Sequence, residues 1–238
     1  MNILLFGYGK MGKMIESSAK SRKHTIVGKI DPYLDLDFDF KTHVDVAIEF
    51  STPNSAVKNI KLCLEKGIPI LSGTTGWLEH KKEIEQFCKL KNGAFFYSSN
   101  YSIGVNKFFK LNENLASMMN NLNDYEVEIK EIHHTEKKDA PSGTAITLAE
   151  GILKYLSRKK KWVNMVSNND EDLVIHSERK DSYFGTHSVT YRSDIDEIEI
   201  KHTAHSRIGF ANGAIMVAEW FQKQKGVLGM QDYFNSFQ

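Results

Sequence analysis

Phe6-Gly7-Tyr8-Gly9-Lys10-Met11-Gly12 is the stretch that decides the fold class of this 238-residue chain. It places Gly-x-Gly-x-x-Gly directly after the apolar run Ile3 to Phe6 and at the start of a helix-like segment from Lys10 to Lys20. In that context the first glycine permits a tight turn, the second lets backbone N–H groups approach a pyrophosphate, and the third lets helix and strand pack closely. The helix N-terminus then faces the anion. The stretch predicts a dinucleotide site built from Gly7, Tyr8, Gly9, Lys10, Met11 and Gly12.

An acidic residue follows at the distance that such a site requires. Asp31 ends the next predicted strand, 24 residues after Gly7, close to the offset of about 20 at which a carboxylate binds the adenine ribose. Its charge would repel a 2′-phosphate by about 1 kcal/mol even in water. Pro32, and no arginine, comes next, although Lys29 on the same strand could soften the bias. The sequence therefore favours NADH over NADPH. The alternative to the dinucleotide site as a whole is a glycine-rich turn that binds no ligand.

The first hundred residues alternate strands and helices, which is the pattern of a parallel sheet covered by helices. A helix with Asn54 as N-cap and Gly67 after its last turn follows the third strand.

Two loops lie at carboxyl ends of strands, where open α/β folds bind ligands. They are candidates for the nicotinamide half of the cofactor, with turns of purely structural role as the alternative. Their residues are Gly73, Thr74 and Thr75, and Ser98, Ser99, Asn100 and Tyr101.

After Asn100 the pattern changes to α+β, because Tyr125, Val127 and Ile129 alternate with charged residues in a half-exposed strand. Three more alternating strands follow a polar stretch from 157 to 172, whose run Arg158-Lys159-Lys160-Lys161 is typical of a solvated loop. A final helix at 210–222 could pack back on the first domain. We therefore expect a Rossmann-type dinucleotide-binding domain at 1–102 plus 208–238 and an α+β substrate and oligomerisation domain at 103–207.

The segment from Glu131 to Ala145 concentrates ionisable groups between a strand and a helix. The imidazoles of His133 and His134, with Lys137, can supply a proton donor near neutral pH and a fixed positive charge. The helix starting near Ser142, Gly143 and Thr144 offers free N–H groups to a second anion, so the segment predicts a small dicarboxylate substrate. One alternative is a surface histidine beside a capped helix, with no catalytic role. A second alternative is a zinc site, but the chain lacks HExxH and Cys-His spacing, so we expect no metal.

Composition and charge exclude several function classes. With 31 Lys and Arg against 30 Asp and Glu the net charge is +1, so we expect neither nucleic acid nor membrane as a partner. Cys63 and Cys88 lack disulfide or metal spacing and are expected to be free thiols. The N-terminal apolar run breaks after four residues and is expected to be a strand, not a signal peptide. No stretch is apolar enough for a membrane span, so we expect a cytoplasmic protein.

The motifs together resemble the dihydrodipicolinate reductase family. The resemblance is carried, in order, by the glycine turn, Gly73-Thr74-Thr75-Gly76, Asn100-Tyr101-Ser102-Ile103-Gly104-Val105-Asn106, His133-His134-x-x-Lys137-x-Asp139-Ala140-Pro141-Ser142-Gly143-Thr144, and Ser206-Arg207-x-x-Phe210-Ala211-Asn212-Gly213-Ala214. It implies NAD(P)H-dependent reduction of a cyclic dicarboxylate to tetrahydrodipicolinate in lysine and diaminopimelate biosynthesis. It also implies a homotetramer assembled through the exposed sheet of the second domain.

The same resemblance implies roles for single residues. His133 matches the family's proton donor and Lys137 its second catalytic group, while His134, Ser142, Gly143, Thr144 and Arg207 match the substrate site. Thr135 and Glu136 depart from the more basic pair common in the family, and Arg179-Lys180-Asp181 departs from a glycine-containing loop. Another two-domain dehydrogenase acting on a sugar or amino acid stays open as an alternative, as does a cofactor-sensing regulator without turnover.

Overall fold

The computed structural model describes residues 1–31 and 38–237. It divides into two compact units, one formed by Met1–Ile103 with Ile208–Gln238 and the other by Gly104–Arg207. In the described part of the chain, none of the helices combines the length and the apolar character that a bilayer crossing requires.

The first unit is built on a six-stranded sheet in which all paired strands are parallel. Its strands, numbered in chain order, are β1 (Asn2–Phe6), β2 (Thr25–Ile30), β3 (Val46–Glu49), β4 (Ile70–Ser72), β5 (Ala94–Tyr97) and β11 (Gly226–Leu228). Its helices are α1 (Lys10–Ser21), α2 (Pro53–Glu65), α3 (Lys81–Leu90), α6 (Ile208–Phe221) and α7 (Met230–Asn235), with a 3₁₀ turn at Leu78–His80. The spatial order is β11-β5-β4-β3-β1-β2. The order reverses between β1 and β3, and such a switch point is where open α/β sheets bind ligands.

Helices cover both faces of this sheet, so successive residues of its central strand β1 are apolar. Ile3 and Leu5 point into a core shared with α1 and α6, whereas Leu4 and Phe6 point into a core shared with α2 and α3. Each fully buried side chain of this size contributes roughly 1.5–3 kcal/mol. The predicted Rossmann-type α/β domain is confirmed.

The second unit contains a mixed five-stranded sheet with the order β10-β9-β6-β8-β7. Its strands are β6 (Glu126–His133), β7 (Lys161–Asn164), β8 (Asp172–Arg179), β9 (Thr186–Arg192) and β10 (Glu197–Thr203), and its helices are α4 (Ile103–Met119) and α5 (Gly143–Leu153). Strand β6 lies at the centre, antiparallel to β9 and parallel to β8. One sheet face packs on the helices, and the opposite face carries ion pairs such as Lys130–Glu178 at 2.6 Å. The predicted α+β character and the half-exposed strand are confirmed.

The buried face of this second sheet changes character along its strands. In β6, Val127 and Ile129 lie in the apolar core, but the next two residues on the same face are Glu131 and His133, both buried. In β9, Tyr191 and Val189 pair with Val127 and Ile129, and His187 pairs with Glu131. The inner face therefore ends in buried ionisable groups, and this end positions the candidate site.

The structure corrects several local predictions. The N-cap of α2 is Thr52 and not Asn54, because Pro53 occupies the first turn and the backbone N–H of Thr52 donates to Ser55 Oγ at 3.4 Å. The short strands β7 and β11 and helix α7 have no counterpart in the predictions.

The basic run at 158–161 is also not a solvated loop. The Arg158 guanidinium donates to the carbonyls of Met119 and Asn120 at the end of α4, at 3.3 and 3.2 Å, and to that of Tyr125 at 2.6 Å. Lys159 is buried and its ammonium donates to Glu126 at 2.7 Å. The run stabilises unpaired carbonyl groups at a helix C-terminus, which need donors.

Candidate active site

In the glycine turn after β1, two of the three glycines, Gly7 and Gly12, leave no room for a side chain, as their predicted roles in the tight turn and in helix packing require. Gly7 has φ +85°, and a Cβ there would lie 2.2 Å from the carbonyl oxygen of Phe50. A Cβ on Gly12 would lie 2.3 Å from the Gly7 carbonyl oxygen, so α1 packs directly on the turn. Around Gly9, by contrast, none of the described residues beyond its chain neighbours and its own helix lies within 4 Å of the position a Cβ would take. The turn therefore presents open space at the N-terminus of α1, as an approaching pyrophosphate requires.

Asp31 lies against this turn. Its Oδ2 accepts a hydrogen bond from the backbone N–H of Tyr8 at 2.6 Å, and the residue is buried. The carboxylate is therefore fixed at the mouth of the glycine turn. Pro32, which entered the cofactor prediction, lies outside the described residues.

Lys29, the basic residue on β2 that entered the cofactor prediction, is already paired with a carboxylate. The Lys29 ammonium lies 2.9 Å from Glu16 and 3.9 Å from the centre of the Tyr8 ring. The Tyr8 hydroxyl donates to Glu16, which also pairs with Lys20 at 2.9 Å. These partners, first Tyr8 and then Lys20, lower the pKa of Glu16 from 4.5 to about 2. The cluster of Tyr8, Glu16, Lys20 and Lys29 is called the Glu16 cluster below.

A buried carboxylate organises the next two loops. Glu49 is fully buried at the end of β3 and accepts hydrogen bonds from Ser72 Oγ at 2.6 Å and Thr74 Oγ1 at 2.9 Å. The Ser51 N–H donates to Glu49 at 3.0 Å and to Thr74 Oγ1 at 2.9 Å. Gly73 packs on the ring of Phe50, where a Cβ would approach to 2.2 Å. Glu49 therefore ties the Gly73-Thr74-Thr75 loop to the loop after β3.

Two cavities flank these loops. One, of about 170 Å³, is lined by Gly7, Gly9, Asp31, Phe50, Ser51, Thr52 and Ser55. The other, of about 270 Å³, is lined by Met11, Phe50, Ser51, Pro53, Gly73, Thr74 and Thr75. Phe50 and Ser51 line both, so the predicted residues of the glycine turn and of the threonine loop border neighbouring cavities. The residues present fit an extended dinucleotide, and Lys10 is exposed beside them.

The third predicted cofactor loop contributes less side-chain surface. Ser99 is exposed, and Ser98 Oγ donates to the Asn100 carbonyl at 2.7 Å. Tyr101 is buried in the core of the first unit, and its hydroxyl donates to the carbonyl of Ser72 at 2.8 Å. The Tyr101 side chain is therefore part of the core and not open to a ligand.

The predicted proton donor, His133, lies in a buried network of the second unit. Its Nε2 is 3.3 Å from Glu131 Oε2 and 3.2 Å from His187 Nε2. His187 Nε2 is also 3.1 Å from Ser142 Oγ. Glu131 accepts from the backbone N–H of Ser142, at 3.1 Å to each oxygen, and from Ser177 Oγ at 2.8 Å. These residues, Glu131, His133, Ser142, Ser177 and His187, form the Glu131 network.

Charges in this network are unequal. Burial raises the pKa of Glu131, but hydrogen bonds from His133, Ser142 and Ser177 outweigh it and hold that pKa well below its usual range. Burial lowers the pKa of His187, only partly offset by Glu131. Near neutral pH the network therefore contains a carboxylate and a neutral His187.

Glu131, His133 and His187 could also hold a metal, because their ligand atoms all lie within 4.8 Å of one another. Two observations favour a proton network instead. The Glu131 oxygens already accept from Ser142 and Ser177. The Arg179 guanidinium lies a further 3.6 Å from Glu131 Oε1, and a cation disfavours a second one nearby.

The other predicted substrate residues form two exposed pairs. Arg207 Nη2 lies 3.3 Å from His134 Nε2. The Lys137 ammonium donates to both carboxylate oxygens of Asp139 at 2.8 Å. This pair lowers the pKa of Asp139. Lys137 is therefore paired with Asp139 and not with the Glu131 network.

Helix α5 begins beside the network. Ser142 is its N-cap, since its Oγ accepts from the Ala145 N–H at 3.2 Å. Gly143 is exposed, with nothing within 4 Å of a Cβ position, and Thr144 is half-buried. First-turn amides have no acceptor within their own helix, so Gly143 and Thr144 present donors, whereas the Ser142 side chain is used inside the protein.

No role was assigned to Glu131 from the sequence, and His187 was not singled out. Glu131 was detectable, because residues two apart on a strand share a face and the buried face of β6 turns from Ile129 to Glu131 to His133. His187 was not, because its pairing with Glu131 depends on the register of β6 with β9, 56 residues away.

Comparisons with known proteins agree over both units. Models of the dihydrodipicolinate reductase N-terminus and C-terminus match residues 1–101 and 104–234. The 4-hydroxy-tetrahydrodipicolinate reductase of Christiangramia forsetii is 50% identical over 235 residues, covering 98% of this chain and 97% of that protein. The reductase of the same name from Alkaliphilus oremlandii is 34% identical over 99% of both chains. The fold resembles dipicolinate-bound dihydrodipicolinate reductase from Paenisporosarcina sp. TG-14, with TM-score 0.79 at 21% identity over 96% and 97% of the two chains. The chain therefore belongs to the dihydrodipicolinate reductase family.

Proposed function

We propose that this protein catalyses the NAD(P)H-dependent reduction of a dihydrodipicolinate-type cyclic dicarboxylate, formed from 4-hydroxy-tetrahydrodipicolinate by loss of water, to tetrahydrodipicolinate in lysine and diaminopimelate biosynthesis. The observation that carries the proposal is the histidine motif at the polar end of the second sheet, directly followed by the open N-terminus of α5. The names and identities of the full-length relatives support the same reaction.

We assign the cofactor to the first unit. The glycine turn would take the pyrophosphate, Asp31 the adenine ribose, and the Gly73-Thr74-Thr75 and Ser98-to-Tyr101 loops the nicotinamide half. Two observations support NADH as the preferred cofactor. Asp31 brings a buried negative charge to the ribose side, and Lys29, the nearby cation on β2, is held by Glu16 at 2.9 Å.

We assign the dicarboxylate to the second unit. Arg207, His134 and Lys137 supply positive or hydrogen-bonding groups, and the amides of Gly143 and Thr144 supply donors for the second carboxylate. His133 would donate the proton that completes the reduction, and Lys137 would stabilise the charge that develops on the ring. The reduced nicotinamide cofactor supplies the hydride when bound.

Steady-state NADH oxidation tests the reaction, with substrate generated freshly by condensation of pyruvate and aspartate semialdehyde. We expect turnover that requires this substrate, and a His133→Ala variant with strongly reduced kcat and unchanged NADH affinity. Turnover of a polyol or amino acid alone would indicate another dehydrogenase. NADH binding without turnover of any of these substrates would indicate a cofactor sensor.

The cofactor preference has its own test in kcat/KM for NADH and NADPH. Asp31→Ser removes the charge that faces a 2′-phosphate, and we expect it to narrow the preference for NADH by about fivefold or more, since about 1 kcal/mol is the minimum repulsion in water. Asp39→Ser, an exposed position of the same unit, is the control. An unchanged ratio in Asp31→Ser would contradict the assignment of Asp31 to the ribose.

The family resemblance further supports a homotetramer formed through the outer face of the second sheet, in the cytoplasm. Val166 and Ile195 are exposed apolar residues that border this face. Cys63 and Cys88 are buried free thiols, in agreement with a reducing compartment. Light scattering after size exclusion tests the assembly, and we expect four copies for the native chain and smaller species for Ile195→Asp.

A further inference from the structure

His133 has two ring nitrogens, and the structure gives them different surroundings. Nε2 faces inward, 3.3 Å from Glu131 Oε2 and 3.2 Å from His187 Nε2. The opposite Nδ1–Cε1 edge faces Gly185, where a Cβ would lie 3.0 Å from Cε1 and 3.3 Å from Nδ1. A side chain at position 185 would therefore press against this edge of the ring, and glycine avoids that contact.

We infer that Glu131 and His187 are positioning residues, which hold Nε2 of His133 as an N–H group and leave Nδ1 as the atom that gives up the proton. The inference rests on the proposed reductase function and adds to it the identity of the donor atom and of the two groups that select it.

One assignment of hydrogens satisfies the network. The Nε2–H of His133 donates to Glu131, and the Ser142 hydroxyl donates to the unprotonated Nε2 of neutral His187. Ser142 Oγ still accepts from the Ala145 N–H. Glu131 is held in turn by the Ser142 N–H and by Ser177, so its orientation does not depend on His133. A carboxylate fixed in this way selects one imidazole tautomer and stabilises the imidazolium, as in other His–carboxylate pairs.

The proton step is balanced as follows. When hydride has added to the conjugated ring carbon, the electron pair on the adjacent carbon takes the proton from Nδ1 of the His133 imidazolium. The N–H bond at Nδ1 breaks, a C–H bond forms, and His133 is left neutral with its hydrogen on Nε2. Solvent then reprotonates Nδ1 for the next cycle.

Several other charged groups surround this ring. Arg179 is the register partner of His133 on β8 and lies 3.6 Å from Glu131. Burial lowers the pKa of His187 and of His202 on β10, and the nearby charges of His133 and Lys137 lower the pKa of His187 further. Asp139 compensates Lys137 at 2.8 Å. Glu131 is the carboxylate within 3.3 Å of His133 Nε2, so its removal tests what holds that nitrogen.

Histidine ¹⁵N NMR tests the donor atom without any turnover. At high pH we expect neutral His133 to carry its hydrogen on Nε2. In Glu131→Gln we expect a larger share of neutral His133 to carry its hydrogen on Nδ1, because the charged acceptor beside Nε2 is removed. Glu83→Gln removes a carboxylate from an exposed pair with the same separation, 3.3 Å to His80, and is the matched control. Neutral wild-type His133 with its hydrogen on Nδ1, or an unchanged tautomer in Glu131→Gln, would overturn the inference.

Kinetics then distinguish positioning from a purely structural role. We expect Glu131→Gln to lower kcat about tenfold to a hundredfold with KM for the dicarboxylate within about twofold. His187→Gln, which keeps an acceptor near the position of Nε2, should retain most of kcat, whereas His187→Phe should lose it. Equal activity of the two His187 variants, both folded by thermal melting, would contradict the role of His187. If the wild type shows the expected tautomer but no reductase turnover, the proposed function fails and the tautomer assignment stands.

Discussion

Glu16→Gln should destabilise the first unit at neutral pH by an amount that disappears in acid. The Glu16 cluster lowers the pKa of this carboxyl from 4.5 to about 2, which corresponds to about 3 kcal/mol at about 1.36 kcal/mol per pKa unit. The cluster lies at the protein surface, where Lys20 is well exposed, and solvent screens such pairs. The expected loss in the free energy of unfolding at pH 7 is therefore about 1–2 kcal/mol.

The sign of the pH dependence follows from the depressed pKa. A carboxyl group with a lower pKa in the folded state stabilises the protein above its unfolded pKa of 4.5, and this contribution is lost as the pH falls towards 2. Urea unfolding of wild type and Glu16→Gln at pH 7 and pH 3 measures this contribution. We expect the difference in the free energy of unfolding between the two proteins at pH 3 to be less than half the difference at pH 7. Glu79→Gln, at a highly exposed position, is the control. A loss that is equal at both pH values would refute the electrostatic reasoning.

Other predictions concern single sites of both units. Gly7→Ala should abolish NADH binding and lower the melting temperature, because its Cβ would lie 2.2 Å from the Phe50 carbonyl oxygen at φ +85°; fluorescence titration and calorimetry measure the two effects. Glu49→Gln should cost about 1–3 kcal/mol in urea unfolding, since buried hydroxyls lose a charged acceptor, and an unchanged midpoint would speak against this organising role. Asp139→Asn should free the Lys137 ammonium and lower KM for the dicarboxylate about twofold to fivefold with kcat unchanged. This is the range expected when an exposed ion pair no longer competes with the substrate carboxylate for Lys137.

The first unit was largely predictable because its signals are local. The glycine turn, the acidic residue after β2 and apolar runs such as Val46 to Ile48 each follow from neighbouring residues. The error at Asn54 arose because two capping residues lie close together, and Pro53 decides between them only through its place in the first helical turn. Strand β11 is three residues long and pairs with β5, more than 120 residues away, so periodicity could not reveal it.

The candidate site was less predictable because it depends on strand register. His133 and His134 are adjacent in sequence, yet His133 joins the buried Glu131 network and His134 contacts Arg207. The alternation of a strand explains this separation, since neighbouring residues point to opposite faces. The run at 158–161 was misjudged for a related reason. Its surface composition is typical of a loop, but its partners are carbonyl groups that only the folded α4 leaves unpaired.

The return of the chain to the first unit after residue 207 has a consequence for synthesis. Helix α6 contributes Ala214, Ile215 and Phe221 to the core beside β1, and β11 completes the edge of the sheet. A chain still attached to the ribosome at residue 207 holds every residue of the inserted unit but lacks this part of the outer one. The inserted unit can therefore begin to fold before the discontinuous unit closes, because α6 and β11 are synthesised after it.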